Sequence, residues 1–350
     1  MKVLVTGADG YIGAVLTPLL HARGHEVVGL DCGFYRSGWL FDDENWRAPV
    51  ITKDIRQVDA ADVAGFDAVI HLAELSNDPL GEHDPALTYA INHQGSADLA
   101  HTCKCAGVTR FIYASSCSVY GAAGDGAIKT EESPPDPQTA YARCKLLVER
   151  DLRALADRHF TPVILRNATA YGASPRMRFD IVLNNLAGHA WTSGEVKMMS
   201  DGTPWRPLVH VGDIAEAIVQ ALEAPRERVH NEIFNVGEDV QNYRIKEIAA
   251  IVAEAFPGTI TTLGKLGADN RSYRVSFAKI HRHLAHFHCR RNAQGGAREL
   301  AHLFERIAMS SKVFNHRAFT RVEQLKYLLA TGRIDHDFFF VRELEPVAVS

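Results

Sequence analysis

The sequence predicts an α/β fold, a parallel sheet with helices on both faces, followed by a smaller lobe. Three observations carry that prediction. Short apolar runs alternate with helical stripes through the first half of the chain, a glycine-rich turn joins the first run to the first stripe, and the alternation weakens beyond about residue 171.

Residues 2–6, 26–30, 68–73, 110–115 and 162–166 read as buried strands, with a shorter one at 49–53. Between the first two, Ile12, Val15, Leu16, Leu19 and Leu20 fall at i, i+3, i+4, i+7 and i+8, the apolar stripe of a helix lying on a sheet; Pro18 inside it predicts a kink. Past residue 171, polar segments bearing Pro and Arg suggest a lobe grafted onto the first domain. The run 230–236 reads as one more strand of the main sheet and 245–256 as a helix. Helical patterns at 297–308 and 322–330 close the chain without a motif that carries chemistry. The expected division is a sheet domain over 1–170, completed by a strand near 230–237, and a second lobe with C-terminal helices over 171–350.

The composition of this 350-residue chain, 46% hydrophobic and 23% charged, is that of a globular protein and excludes disorder, collagen and coiled coil. Apolar runs such as 338–341 are far too short to cross a bilayer, so no membrane partner is expected. A net charge of −4 leaves no global basic field to hold nucleic acid, while a local basic site for a phosphorylated small molecule stays open. The six cysteines form no CxxC pair or zinc-like ladder and read as reduced thiols, with no metal expected. The chain runs from Met1 straight into a strand, and a cytoplasmic location is expected.

Gly7-Ala8-Asp9-Gly10-Tyr11-Ile12-Gly13 follows the first strand and opens the first helix. Glycines there permit a tight turn and close backbone approach to a pyrophosphate, whose charge the free amides and the positive end of the helix dipole favour. The second strand ends at Asp31, where a carboxylate accepts both ribose hydroxyls of adenosine and repels a 2′-phosphate, so NAD is expected over NADP. Asp54 and Ile55, after the next strand, are candidates for the adenine ring or simply a strand end. Tyr141 and Lys145 stand at i and i+4, on one helical face. A free phenol titrates near pH ~10 and becomes a base at neutral pH only beside a cation, which Lys145 can supply.

Three further stretches accompany these: Ala114-Ser115-Ser116-Cys117-Ser118-Val119-Tyr120-Gly121; His71-Leu72-Ala73 with Asn92-His93-Gln94-Gly95-Ser96; and Asp201-Gly202 with Arg206, Val209-His210-Val211 and Asp213. Together with Gly7 to Gly13 they resemble the extended short-chain dehydrogenase/reductase family, in particular its nucleotide-sugar epimerases and dehydratases, over roughly residues 1–280. The resemblance implies a Rossmann-type doubly wound parallel sheet that holds NAD, touched by Leu72, Ala73 and Asn92 besides the glycine turn, and a smaller C-terminal substrate lobe for a nucleoside diphosphate sugar. It implies Ser116, Tyr141 and Lys145 as the catalytic set, Tyr141 and Lys145 also meeting the cofactor, and Asn184 and Arg206 as diphosphate contacts. It further implies a homodimer through the helices near 92–106 and 141–156.

Departures narrow the activity. In 4,6-dehydratases of this family an Asp-Glu pair follows the catalytic Ser or Thr; Cys117 and Ser118 stand there instead, which disfavours ordinary 4,6-dehydration. Cys117 reads as a small buried filler or as an acid/base group. Glu74 stands where the family commonly has a small residue, and reads as a sugar-hydroxyl ligand, a base or a loop charge. Arg271, in Ala268-Asp269-Asn270-Arg271, is the remaining candidate for the diphosphate. The expected activity is that of an NAD-dependent nucleotide-sugar epimerase acting through transient oxidation of a sugar hydroxyl. A nucleotide-sugar reductase or atypical dehydratase is the enzymatic alternative, and a non-catalytic dinucleotide-sensing protein the alternative of another class.

Overall fold

The computed structural model describes residues 1–42, 46–76, 84–122, 127–264 and 272–341. Its main strands are β1 (Lys2–Thr6), β2 (Glu26–Asp31), β3 (Val50–Thr52), β4 (Ala68–His71), β5 (Arg110–Ser116), β6 (Thr161–Asn167), β7 (Thr169–Tyr171), β8 (Trp205–His210), β9 (Glu232–Val236) and β10 (Asn242–Arg244). The longer helices are α1 (Gly13–Ala22), α2 (Ser96–Cys105), α3 (Ala140–Leu155), α4 (Val182–Ser193), α5 (Val211–Glu223), α6 (Ile245–Ala255), α7 (Ala293–Arg306) and α8 (Arg321–Ala330). Among the described residues, no helix is long and apolar enough to cross a membrane.

Seven strands make one parallel sheet in the order β9-β6-β5-β4-β1-β2-β3, the doubly wound arrangement the alternation predicts. The order turns around at β1, which pairs with both β2 and β4, so the carboxyl ends of β1, β2 and β4 flank a crevice. Helix α1 runs through Pro18 to Ala22. Alternate strand residues feed two cores. Val3, Val5 and Ile70 pack with α1 and α5, whereas Leu4, Val69 and Phe111 pack with α2, α3 and α8. The chain end therefore returns to the sheet, with Leu325, Leu328 and Phe338 in its second core. A third core, built on α4, α6 and α7, belongs to the lobe, where β8 runs parallel to β7 and antiparallel to β10.

Helix α3 is set against the sheet by a buried ion pair. Arg166 Nε lies 2.9 Å from Glu149 Oε1 and its Nη2 lies 2.6 Å from Oε2, with both side chains under 5% exposed. Arg166 also donates to Tyr120 Oη at 2.9 Å, and Tyr120 donates to Asn235 at 2.7 Å, which links β6, the end of β5 and β9. Burial opposes the arginine's charge, but the bidentate carboxylate outweighs it and holds the guanidinium above its ordinary range. Removing one partner of such a pair leaves an uncompensated buried charge. Glu149→Ala is expected to lower the unfolding free energy by about 3–5 kcal/mol, read by chemical denaturation; a loss below about 1 kcal/mol, typical of an exposed pair, would show that α3 does not depend on it.

Candidate functional site

The crevice begins at the glycine turn. Gly7 takes φ +73°, and a Cβ there would stand 2.8 Å from Ala73 N; a Cβ on Gly13 would stand 2.3 Å from Gly7 O. These two glycines let the turn close against β4 and let α1 start directly beneath it. Among the described residues the amides of Tyr11 and Ile12 donate to no protein acceptor, and no side chain caps α1, so the donors at its positive end are available. Gly7, Gly10, Tyr11, Ile12, Gly13, Asp31, Asp54, Ile55, Leu72 and Ala73 line one cavity. Asp31 accepts the amides of Asp9 at 3.1 Å and Gly33 at 2.7 Å. Burial, then the neighbouring Asp9, raises its pKa to about 6. Free helix-terminal amides at one end and a strand-end carboxylate at the other are the donor and acceptor set a dinucleotide needs, so the residues fit NAD.

A second, larger cavity opens beside it and shares Ile12, Leu72, Glu74, Ser76, Ala170 and Arg178. Ser116, Ser118, Tyr141, Lys145, Asn167 and Arg206 line it. Ser116 ends β5, and its hydroxyl accepts the Ser118 amide at 3.1 Å. Thr139 caps α3 by accepting the Ala142 amide, which starts the helix immediately before Tyr141. Tyr141, Lys145 and Glu149 fall at i, i+4 and i+8, so the buried pair at Glu149 turns the other two toward the strand ends. Lys145 Nζ lies 5.5 Å from the centre of the Tyr141 ring.

Glu74 lines both cavities. Its carboxylate is no loop charge, since the side chain is only 2% exposed and Oε2 lies 2.7 Å from Lys145 Nζ. Oε1 accepts the Tyr113 hydroxyl at 2.6 Å. Lys145 also donates to the Ala114 carbonyl at the end of β5. Burial pushes the Glu74 carboxyl up, while the ammonium and the phenol pull it back; Lys145, with that carboxylate beside it, is held above its ordinary range despite burial.

Three other expected residues prove to be braces. Asn184 is fully buried outside both cavities: its Oδ1 accepts the Gly172 amide at 3.0 Å, and its Nδ2 donates to Tyr11 Oη at 3.2 Å and to the Arg178 carbonyl at 3.1 Å. Tyr11, whose side chain sits in the lobe core, donates to Gly172 O at 2.7 Å, so this triangle joins the glycine turn to the lobe. Asn92 exchanges two bonds with the backbone of Leu75, at 2.8 and 3.0 Å, from a π-helical turn (Tyr89–Gly95) that leads into α2. It anchors the chain after β4 and faces neither cavity. Cys117 is completely buried, donates to the Arg166 carbonyl at 3.2 Å and has its thiol pushed far up by burial, so it keeps its proton and fills the core. Arg206 does reach the larger cavity, 6% exposed, and donates to the Trp205 carbonyl at 2.8 Å. Arg271 lies outside the described residues, as do Asn77 and Asp78 after Glu74.

The cleft also holds residues outside the expected site set. Asn167 Oδ1 and Ser118 Oγ are buried polar atoms at the cavity wall without a hydrogen-bond partner among the described residues. Arg178 spans both cavities, held by Asp180 at 2.9 Å and by Ser76 Oγ at 3.2 Å. Arg321 reaches the dinucleotide cavity from α8, far along the chain.

A family model described as "NAD dependent epimerase/dehydratase family" matches residues 3–237. A curated UDP-glucose 4-epimerase of Mycolicibacterium smegmatis is 31% identical over 234 residues, 63% of this chain and 73% of that protein. Another, from Corynebacterium glutamicum, is 28% identical over 279 residues, 73% of this chain and 80% of that one. The solved Thermus thermophilus UDP-glucose 4-epimerase complex with NAD superposes with a TM-score of 0.74 at 27% identity, covering 87% of this chain and 99% of its own. TunA, an NAD-dependent NDP-hexosamine 5,6-dehydratase, shares the fold with a TM-score of 0.78 at 24% identity, covering 87% of this chain and 98% of its own.

With Asp31 titrating near pH 6 in the ligand-free protein, the accepting carboxylate is lost as pH falls through that value. The affinity for NAD is expected to drop about tenfold between pH 7.5 and pH 5, measured by calorimetry; a constant affinity would show that Asp31 does not hold the ribose.

Proposed function

The chain belongs to the NAD-dependent epimerase/dehydratase family, and we propose that it interconverts epimers of a nucleoside diphosphate hexose by oxidising one sugar hydroxyl transiently and returning the hydride to the opposite face. The observation that carries this reading is the convergence of Ser116, Tyr141 and Lys145 on a cavity continuous with the one bounded by the glycine turn. NAD, when bound, supplies the hydride acceptor. Tyr141 takes the proton of the reacting hydroxyl, and Ser116 hydrogen-bonds that oxygen. Lys145 supports the phenolate, and Glu74 holds the lysine side chain against β5. Arg206, with its always-charged planar guanidinium, suits the substrate's diphosphate at the lobe side of the cavity.

Dehydration would need an acid and a base beside Ser116. Cys117 is sealed in the core and Ser118 is a hydroxyl, which supports epimerisation over loss of water. Curated relatives that match include UDP-glucose 4-epimerases, and UDP-hexoses are the substrates to try first. The same reading expects a cytoplasmic homodimer joined through α2 and α3.

Incubation of the purified protein with UDP-glucose in deuterium oxide, followed by NMR, is expected to give an epimer with no carbon-bound deuterium and no net NADH. Loss of water or net consumption of NADH would replace the epimerase reading by the dehydratase or the reductase. Under the same conditions Tyr141→Phe is expected to lower turnover by ~10²-fold or more with NAD binding unchanged; near-normal turnover would remove the tyrosine from the proton path. Glu74→Gln strips the negative charge that competes for Lys145. The rising limb of its pH–rate profile is therefore expected to move to lower pH by on the order of one unit, and an unmoved limb would show that the pair does not reach Tyr141.

A further inference from the structure

The C-terminal helix lies well beyond the segment that matches the family, which ends at residue 237, yet it delivers a guanidinium to the dinucleotide cavity. Arg321, the first residue of α8, is 3% exposed and lines that cavity together with Gly10, Ile12, Gly13 and Asp31. Its guanidinium stacks on the Tyr35 ring, 3.9 Å from the centroid. Among the described residues it has no carboxylate within ion-pair distance and donates no side-chain hydrogen bond; only its backbone amide reaches Asp180, at 3.4 Å.

That is an unusual state for a buried arginine, and the neighbours show the contrast. Arg166 has Glu149, Arg178 has Asp180, and Arg176 donates to the carbonyls of Tyr35 and Arg36 at 2.7 Å each. Arg321 holds five N–H donors in a planar fork, and leaving them unpaired in a desolvated site is costly. Burial pushes its pKa down and the nearby Arg178 adds to that direction, while Tyr35, Asp180 and Asp31 oppose it without reversing it. An anion in the cavity would relieve both. The stacking on Tyr35 fixes the plane of the fork, the arrangement suited to a planar, bidentate acceptor such as a phosphoryl group.

The rest of the chain end is fastened in place over the same region. Gln324 donates to the Phe34 carbonyl at 2.9 Å, Phe34 meets Phe338 edge-on with centroids 6.1 Å apart, and Arg56 donates to the Asp337 carbonyl at 2.8 Å while lying over the Phe339 ring. Ile55 and Phe34, beside these contacts, line the cavity as well. The first turn of α8 is thus a built wall of the cleft.

We propose that Arg321 is a ligand of the dinucleotide's diphosphate, reached in the cavity that the glycine turn also lines, so that the C-terminal segment completes the cofactor site. The inference rests on NAD occupying this cleft and needs neither the sugar nor the epimerase chemistry.

Calorimetric titration of the full-length protein, freed of bound nucleotide, with ADP, with adenosine and with 2′,5′-ADP in separate runs tests it. Arg321→Gln is expected to weaken ADP ~10- to 100-fold and to leave adenosine unchanged, and Arg321→Lys to fall between. Equal weakening of both ligands would make Arg321 a packing residue beneath Tyr35, and no change in either would show that it meets no phosphate. Weakening of 2′,5′-ADP alone would move the anion site to a 2′-phosphate and overturn the assignment. Melting of each variant without nucleotide separates these outcomes from misfolding. Since no sugar is present, a failed epimerase assay leaves the result standing.

Discussion

The buried contact between Glu149 and Arg166 sets the geometry on which the site depends. Tyr141, Lys145 and Glu149 occupy one face of α3 at successive i+4 steps, so the rotation of that helix decides where all three point. The pair joins the helix to β6, while Ser115 Oγ, on β5, donates to the same carboxylate. A hydrophobic contact at Glu149 would also bury surface, but it would not impose one azimuth. A bidentate, desolvated guanidinium–carboxylate pair does so because its hydrogen bonds are lost when the helix rolls. The reactive face is thereby held by an interaction one turn away from it.

Within that frame the site balances its own charge. An ammonium on an almost fully buried side chain would be driven toward neutrality by desolvation. Glu74 opposes this at 2.7 Å, and Tyr113 in turn satisfies the carboxylate's other oxygen. Lys145 is therefore a charged group in a locally neutral cluster. Its influence on Tyr141 is tempered by a counter-ion, which distinguishes this centre from one in which the lysine faces the phenol alone.

The two lobes and the chain end meet around the cofactor crevice. Tyr11 extends from the glycine turn into the core of the substrate lobe, where Gly172 and Asn184 hold its hydroxyl. Asn92 holds the chain after β4 in a similar way through Leu75. Each of these polar side chains satisfies buried backbone groups near the cavity, which keeps the cavity wall in one arrangement. Helix α8 borders the same cavity through Arg321, so residues far apart in the chain line a single space.

The sheet strands, the glycine turn, Asp31 and the Tyr141 and Lys145 pair were legible because each is encoded locally, by apolar periodicity, by backbone freedom at fixed spacing or by one helical step. The residues that changed meaning are those whose role depends on partners distant in the chain. Asn184 and Asn92 sit at expected motif positions, but their hydrogen bonds run to Gly172 and Leu75, and burial turns them from ligands into braces. Glu74 shows no pattern of its own; its place beside Lys145 exists because β4 and β5 are neighbours in the sheet and α3 lies over them. Arg321 is further removed still, since nothing near residue 321 marks it, and only the return of α8 to the first domain brings it to the crevice. Sequence alone determined the scaffold and singled out the residues proposed to react, because both are written in short-range order. Tertiary structure decided which polar groups face the cavity and which support its wall, because desolvation and pairing are properties of the packed chain.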